Sequence, residues 1–364
     1  MKILYLITKS EIGGAQVHVM DLSRGMGSLG HSVALMCPSD GWLDKEFLKK
    51  NNNFYKNNYF DNTINPFKLI KACILIKKAI KDFGPDIIAC HSSMAGVLGR
   101  IVSLFYKTPK VIFTAHSWAF TDGAPIYRKI LMIPIEKFLA RFTDKIICVS
   151  MFDKNIALKY KISKEKKIAV VYNGVPNREL RNLNKKETFK LISIMRLDYP
   201  KLPELLIKAF SSINNINLEL SIIGYGKKME EINSLINKLG INNKVKILDS
   251  LNKEEVIPQL TKADLFVLIS KHEGLPITIL EAMSVGLPVI ASDVGGIGEE
   301  INESCGCLVE NDIEKIKEAI LKVTSNDSLR LDMSKNAWEK QREIFSLDGF
   351  IKETEKVYKK VLGI

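Results

Sequence analysis

The sequence predicts an α/β protein built from two tandem doubly wound domains, and three observations carry that reading. Short apolar runs alternate with amphipathic segments, as in a parallel sheet covered by helices. The alternation occurs in two series, separated by a polar stretch with little periodicity. With 364 residues, 46% of them hydrophobic, the chain has enough material for two separate cores.

In the first series, strands are expected over Ile3 to Ile7, Ser32 to Cys37, Ile87 to Cys90, Val111 to Ala115 and Lys145 to Ser150. Helical patterns include Ala15 to Leu29 and Pro66 to Phe83. The joint is placed near Val175 to Lys190, where Asn173-Gly174-Val175-Pro176-Asn177 is followed by the polar run Arg178 to Lys190, and the chain is divided into domains 1–178 and 179–346. The second series predicts strands near Leu191 to Ile194, Leu218 to Ile223, Lys244 to Leu248, Leu265 to Ile269 and Val289 to Ala291. Leu347 to Val361 then reads as an amphipathic helix.

The stretch Ser270 to Glu300 places two glutamates, Glu273 and Glu281, around a Gly-Leu-Pro turn and the first turns of a predicted helix. A helix starting near Pro276 or Ile277 has unpaired first-turn amides and a positive dipole end, so it can hold a diphosphate. Glu273 then lies before the helix and Glu281 more than a turn inside it, at a rise of about 1.5 Å per residue. Carboxylates so placed can flank a ligand with phosphate in the middle and hydroxyl-bearing groups at each end, the layout of a nucleotide sugar. As isolated residues, the two glutamates are as easily a loop charge and a solvated helix position. The following run Gly286 to Gly296 reads as turn, buried strand and glycine-rich loop, which favours the site.

Other features bound the chemistry. Cys37, Cys73, Cys90, Cys148, Cys305 and Cys307 follow no framework or metal-ligand spacing, so free thiols in a reducing compartment are expected. No Asp-x-Asp pair is present to chelate a diphosphate-bound cation, and the chemistry is expected to need neither metal nor cofactor. The N-terminal run Met1 to Ile7 is too short for a signal-peptide core, and no stretch approaches the ~18 apolar residues of a membrane span. A cytoplasmic protein, soluble or peripheral on the membrane's inner face, is expected.

Charge is uneven. Residues 1–180 hold 27 Lys and Arg against 14 Asp and Glu, whereas residues 181–364 hold 26 against 27. The basic half is expected to meet an anionic lipid surface or a pyrophosphate-bearing acceptor. No helix-turn-helix, RNA-binding or zinc-finger pattern accompanies the charge, so nucleic acid is not an expected partner.

The loop Glu11 to Gln16 follows the first strand and opens a helix, and Gly13 and Gly14 can bring backbone close to a ligand there. It is not Gly-x-Gly-x-x-Gly, and no acidic residue follows at the dinucleotide spacing, which counts against NAD. Arg196 and Lys201 follow the first strand of the second series, with a surface ion pair to Asp198 as the plainer alternative. His116 ends a strand; His31 precedes one and is expected to be structural; His18, His91 and His272 read as packing or loop residues.

The Glu, seven residues, Glu spacing of Glu273 and Glu281, with the tail to Gly296, resembles the retaining GT-B glycosyltransferases of family 4. The resemblance covers almost the whole chain, strongly from Leu191 to Glu310. It implies two Rossmann-like domains with an interdomain cleft and a final helix that returns to the first domain, an acceptor-binding unit followed by a donor-binding one. It implies that Glu273 contacts the donor sugar, Glu281 the ribose, and the amides of Gly274, Leu275 and Ile277 the distal phosphate; Pro276 has no N–H to give. Arg196 and Lys201 would neutralise the departing diphosphate, Gly13 and Gly14 would face it, and His116 would lie near the reaction centre. Gly224-Tyr225-Gly226 would lie beside the nucleobase. The chain departs from the family at Met195, where glycine is usual, and at Leu202-Pro203, where Lys-Gly is.

The activity implied is metal-independent hexosyl transfer with retention, from a nucleotide diphosphate sugar, with uridine the commonest base, to a glycan or polyprenyl-linked acceptor. Its setting would be capsule, lipopolysaccharide or exopolysaccharide synthesis. A GT-B nucleotide-sugar epimerase and a non-catalytic nucleotide-sugar-binding membrane scaffold are the alternatives.

Overall fold

The computed structural model describes residues 1–364 apart from 51–52, 61–64, 107–108, 122–123, 183–187, 215–216, 250 and 252. Part of the polar run Arg178 to Lys190 lies outside the described residues. The chain divides into two units, Met1–Asn173 with Leu347–Ile364, and Gly174–Ser346.

The first unit runs β1 (Lys2–Leu6), α1 (Gly14–Ser28), β2 (Ser32–Cys37), α2 (Trp42–Leu48), β3 (Phe54–Lys56), α3 (Pro66–Phe83), β4 (Ile87–Cys90), α4 (Ser93–Ser103), β5 (Lys110–Ala115), α5 (Ile126–Ala140), β6 (Lys145–Cys148), α6 (Met151–Lys159) and β7 (Ile168–Val170). Its parallel sheet has the order β3-β2-β1-β4-β5-β6-β7. β4 is buried at every position because helices cover both faces, which is why it reads as a continuous apolar run. Strand order reverses between β1 and β4, so the loops after them diverge and leave a crevice at the carboxyl edge.

One face of this sheet is covered by α3, α4 and residues from α5 and α6. The other carries α1 and α2 together with Phe350, Ile351 and Tyr358 of the final helix. That helix approaches so closely that a Cβ on Gly25 would lie 2.2 Å from Ile351 Cδ1. His31 Nε2 also meets Glu355 Oε1 at 2.8 Å, a structural tie between the turn before β2 and the chain's last helix.

Between α4 and α5 lies a buried ion pair. Arg100 donates to Glu136 through both terminal nitrogens, at 2.8 and 3.2 Å, and through Nε to the Gly96 carbonyl. Its guanidinium also stacks 4.3 Å from the Phe113 ring centroid. The bidentate geometry and the extra acceptor satisfy two charges that would otherwise be costly to bury.

The second unit runs β8 (Phe189–Ile194), α7 (Pro203–Ser211), β9 (Leu218–Ile223), α8 (Met229–Lys238), β10 (Val245–Leu248), α9 (Lys253–Lys262), β11 (Leu265–Leu268), α10 (Ile277–Ser284), β12 (Val289–Ser292), α11 (Ile297–Glu300), β13 (Gly306–Val309), α12 (Ile313–Thr324) and α13 (Asp327–Ile344). The sheet order is β10-β9-β8-β11-β12-β13, again parallel, with its reversal between β8 and β11. The last helix, α14 (Leu347–Leu362), belongs to the first unit.

The domain boundary lies between Asn173 and Gly174 rather than at residue 178. Asn173 is held by His18 of the first unit at 2.8 Å. Residues 175–178 are held by α13, through Gln341 Nε2 to the Val175 carbonyl and Trp338 Nε1 to the Arg178 carbonyl. β3, β7 and β13 add to the expected strands; they are edge strands of three or four residues with incomplete burial, too short to stand out from the sequence.

All six cysteines are free, with Cys37, Cys90, Cys148 and Cys305 buried. Burial pushes the Cys90 thiol up to about 12. We expect Arg100→Met to lower unfolding stability by about 3–5 kcal/mol in urea titration, because Glu136 would be left buried and unpaired. The double substitution with Glu136→Leu should recover much of that loss. A loss under about 1 kcal/mol for the single variant would contradict this account.

Candidate active site

In the second unit, the site is assembled by loops that leave the carboxyl ends of β8, β9, β11 and β12. The loop after β8 lies along the end of β11: Leu202 N donates to the Ile269 carbonyl and Lys271 N to the Pro200 carbonyl, both at 2.9 Å. Lys201 and Ser270 are thereby paired across a short antiparallel bridge. This brings Lys201 Nζ into contact with Glu273 Oε1, which also accepts from Ser270 Oγ. Both charged side chains are 13% exposed, so the pair is shielded but open on one side. Arg196 differs, with 58% of its side chain exposed and a 3.8 Å approach to Asp198.

Glycines make these close approaches possible. Gly295 has φ +62°, and a Cβ there would sit 1.9 Å from the Glu273 carbonyl oxygen. Gly296 N donates to the Gly274 carbonyl at 3.0 Å, completing the contact of the two loops. Gly224 has φ +148°, and a Cβ would meet the Met195 carbonyl oxygen at 1.9 Å. At Gly226 a Cβ would lie 2.4 Å from the Leu197 backbone, so the Gly224–Gly226 loop is laid directly on the loop carrying Arg196. The ends of β11 and β12 are pinned by a closed set of bonds. Ser292 Oγ accepts from Ser270 N at 2.9 Å and donates to Asn311 Oδ1, while Asn311 Nδ2 donates to the Ser270 carbonyl at 3.0 Å.

α10 begins at Ile277, directly after Glu273, Gly274 and Leu275, as the sequence predicts. Its N-cap is Pro276, no side chain caps it, and its first turn holds no acidic residue. Its N-terminus therefore presents backbone donors and the positive end of the helix dipole, with Glu281 buried farther along. A residue outside the sequence-based set is Glu300, fully buried with neither carboxylate oxygen hydrogen-bonded. Burial first, then the Glu273 charge, raises its pKa well above 4.5, so it is held as the neutral acid, with Lys340 and Lys201 opposing.

In the first unit, Gly13 caps α1 and Gly14 begins it, without a side-chain cap or acidic first-turn residue. His116 follows β5, His91 follows β4, and His18 projects from α1. The structure brings these three together: His91 Nδ1 lies 3.2 Å from His116 Nε2, and the His18 and His116 ring centroids are 4.5 Å apart. His18 Nδ1 meets Asn173 Oδ1 at 2.8 Å. Burial lowers His18 to about 4, and burial followed by the neighbouring imidazoles holds His91 and His116 below 6.5, so all three are neutral at pH 7. Among the described residues, their ligand atoms form the group within 4.8 Å of one another that can hold a metal ion. His18 and His91 had read as packing residues; that His91 and His116 both follow ends of adjacent strands was a legible signal, whereas the inward face of α1 was not.

Beside this edge is a cavity of about 300 Å3 lined by Thr8 to Glu11, Pro38 to Gly41 and Phe60, the loops after β1 and β2. Gly41 is required there, since a Cβ would lie 2.5 Å from the Ser10 carbonyl oxygen.

Two family models cover the chain almost end to end: Glycosyltransferase Family 4 over residues 12–178 and Glycosyl transferases group 1 over residues 177–340. The O-antigen biosynthesis glycosyltransferase WbnH of Escherichia coli is 33% identical over 84% of this chain and 85% of its own length. The chain belongs to the group 1 glycosyltransferases. Another relative in this family is the UDP-Gal:alpha-D-GlcNAc-diphosphoundecaprenol alpha-1,3-galactosyltransferase of Escherichia coli, 30% identical over 96% of both chains. Among solved structures, Anabaena HepE in complex with UDP and glucose matches with a TM-score of 0.83 at 19% identity, covering 99% of this chain and 100% of that one. Sucrose-phosphate synthase from Thermosynechococcus elongatus matches at 0.84 and 18% identity, covering 100% and 99%. The glycosyltransferase thus has the GT-B fold class, with two Rossmann-like domains.

Two titrations follow from these charges. The unfolded chain protonates its histidines below about 6.5 while His18 stays neutral to about 4, so stability should fall as pH drops through that window. A pH series of urea midpoints checks this, and a flat profile between those values would contradict the buried cluster. Glu300 has the opposite sign: its raised pKa costs stability as pH rises above 4.5. We expect Glu300→Met to raise stability by about 1–3 kcal/mol at pH 8, with the gain shrinking toward pH 4.5; an unchanged or lower melting temperature at pH 8 would refute it.

Proposed function

We propose that this glycosyltransferase moves a hexose, with retention at the anomeric carbon, from a UDP-sugar to a lipid-linked acceptor during assembly of a cell-surface polysaccharide. The observation that carries the reading is the shielded Lys201 to Glu273 contact beside the uncapped N-terminus of α10. One cation, one carboxylate and a row of backbone donors lie together, which suits a diphosphate joined to a sugar. The names of the E. coli relatives, one an O-antigen enzyme and one a UDP-Gal transferase acting on a diphosphoundecaprenol acceptor, support the substrates and setting. HepE with UDP and glucose supports the donor class.

In this reading the amides of Gly274, Leu275 and Ile277 take the distal phosphate. Arg196, whose side chain is largely exposed, joins Lys201 on the leaving diphosphate. Glu281 takes the ribose, and backbone at Gly224 and Gly226 takes the base. Glu273 orients the sugar through its hydroxyls, and its bond to Lys201 yields in part to the donor phosphate. The acceptor hydroxyl attacks the anomeric carbon from the face that UDP leaves, the C–O bond to phosphate breaks, and the proton passes to the leaving phosphate oxygen. Retention follows without a protein nucleophile.

In the first unit, Gly13 and Gly14 present the start of α1 to phosphate, His116 as a neutral imidazole contacts the reacting sugar, and the cavity after β1 and β2 receives the acceptor. The two fixed cations supply charge stabilisation that needs no metal. The enzyme would work on the inner face of the membrane as a peripheral protein, which accords with the basic first half.

The test is a donor screen by thermal shift with UDP, GDP, ADP, CMP and NAD, with and without EDTA, followed by turnover of the matching sugar. We expect a chelator-insensitive shift with UDP. Glu281→Ala and Lys201→Ala should raise the donor KM, and Glu273→Ala should lower kcat on the order of 10²–10³-fold. Unchanged turnover in all three variants would sink the assignment.

A further inference from the structure

Among the described residues of the first unit, apolar side chains stand exposed on its outer surface. On α3, Phe67, Ile70 and Ile74 recur at helical spacing and are 77%, 59% and 59% exposed. On α5, Ile126, Ile130 and Leu131 are 71%, 70% and 55% exposed. α4 packs between these helices, against both, and ends in Ile101, Leu104 and Phe105, the last 80% exposed. All three helices cover the same face of the sheet, so these side chains lie on one outer surface. Single exposed leucines are ordinary, but aligned rows of aromatic and aliphatic side chains on three neighbouring helices mark an interaction face.

The charges on the same helices indicate the occupant. On α3 the exposed Lys68 and Lys71 are interleaved with the apolar residues, and Lys77, Lys78 and Lys81 follow them in the C-terminal half, with one exposed acid, Asp82. On α5 the exposed Arg128 stands among Ile126, Ile130 and Leu131, and the exposed Lys137 and Phe138 follow, with Arg141 at the C-cap. Both helices join parallel strands across the same face, so they run in the same direction, and their N-terminal halves lie toward the carboxyl edge of the sheet. That is the edge with the cavity after β1 and β2 and with His116. The exposed apolar residues of α3 and of the start of α5 therefore lie toward the acceptor side, those at the end of α4 lie toward the opposite edge, and basic side chains run along the whole face.

We propose that the outer face of α3, α4 and α5 is the surface by which this enzyme lies on an anionic lipid bilayer. The rings and aliphatic chains enter the acyl boundary, while the lysines and Arg141 meet the headgroup phosphates. The proposal rests on the lipid-linked acceptor assigned above for its purpose: a polyprenyl chain stays in the bilayer, and the face presents the sheet edge to the diphosphate at the bilayer surface. The buried Arg100 to Glu136 pair locks α4 to α5, so this part of the surface docks as a preformed plate.

The experiment is co-sedimentation of the full-length protein with vesicles of equimolar phosphatidylglycerol and phosphatidylcholine, and with phosphatidylcholine alone, at low and high salt. We expect binding to the anionic vesicles that weakens with salt. The Ile70→Ser, Ile130→Ser variant should bind on the order of tenfold more weakly while keeping its UDP thermal shift and its turnover on a short-chain, water-soluble acceptor. The Lys78→Glu, Lys137→Glu variant should lose the preference for anionic lipid. No binding at low salt, or equal binding by the apolar variant, would overturn the proposal. So would a dimer that the apolar substitutions dissociate, since a second copy would then cover the face. Vesicle binding without sugar transfer would leave the lipid surface standing and reject the proposed reaction instead.

Discussion

The candidate site in the second unit depends on backbone placed against backbone. Where Gly295 meets the Glu273 carbonyl and Gly224 meets the Met195 carbonyl, no room is left for a single methyl group. These contacts fix loops that a parallel sheet would otherwise let diverge. The carboxylate of Glu273 can then be held by Lys201 and Ser270 without a rigid scaffold of its own. Removing either glycine would shift the loop, and with it the position of a charge, so the site is sensitive at residues that carry no functional side chain.

Much of this was legible in the sequence, and for physical reasons. Buried parallel strands are nearly continuous apolar runs, so β2 and β4 stand out with their ends correct; β9 shows instead through alternation, with Glu219 and Ser221 at its half-buried positions, and the turn before α10 through Gly274, Leu275 and Pro276. The glutamate spacing pointed to Glu273 and Glu281, and the pairing of Lys201 with Glu273 follows from a strand-end loop whose course no local pattern specifies. Long-range contacts were the blind spot. His18 meets Asn173 across 155 positions, and Glu300 sits where an apolar side chain would satisfy the same packing, so neither role is written in neighbouring residues.

The two halves solve the problem of charge in opposite ways. The first unit places three imidazoles in contact and keeps them neutral, which leaves lone pairs and N–H donors for a polar ligand without adding a charge. The second unit pairs Lys201 with Glu273 and buries Glu300 nearby, where burial and the Glu273 charge raise its pKa. A site that must accept two phosphate charges and release them benefits from one fixed cation whose partner can be displaced and from few other anions in the vicinity. The buried Glu300 fits that arrangement while costing stability as pH rises above its ordinary value of 4.5.

The path of the chain has a consequence for its synthesis. The second unit, residues 174–346, is complete while the first still lacks α14, whose Phe350, Ile351 and Tyr358 fill one side of the first sheet. On the ribosome, the domain begun first is therefore the domain finished last. Until the closing helix emerges, the side of the sheet bearing α1 remains an uncovered apolar surface, and chaperone attention during translation is expected to centre there.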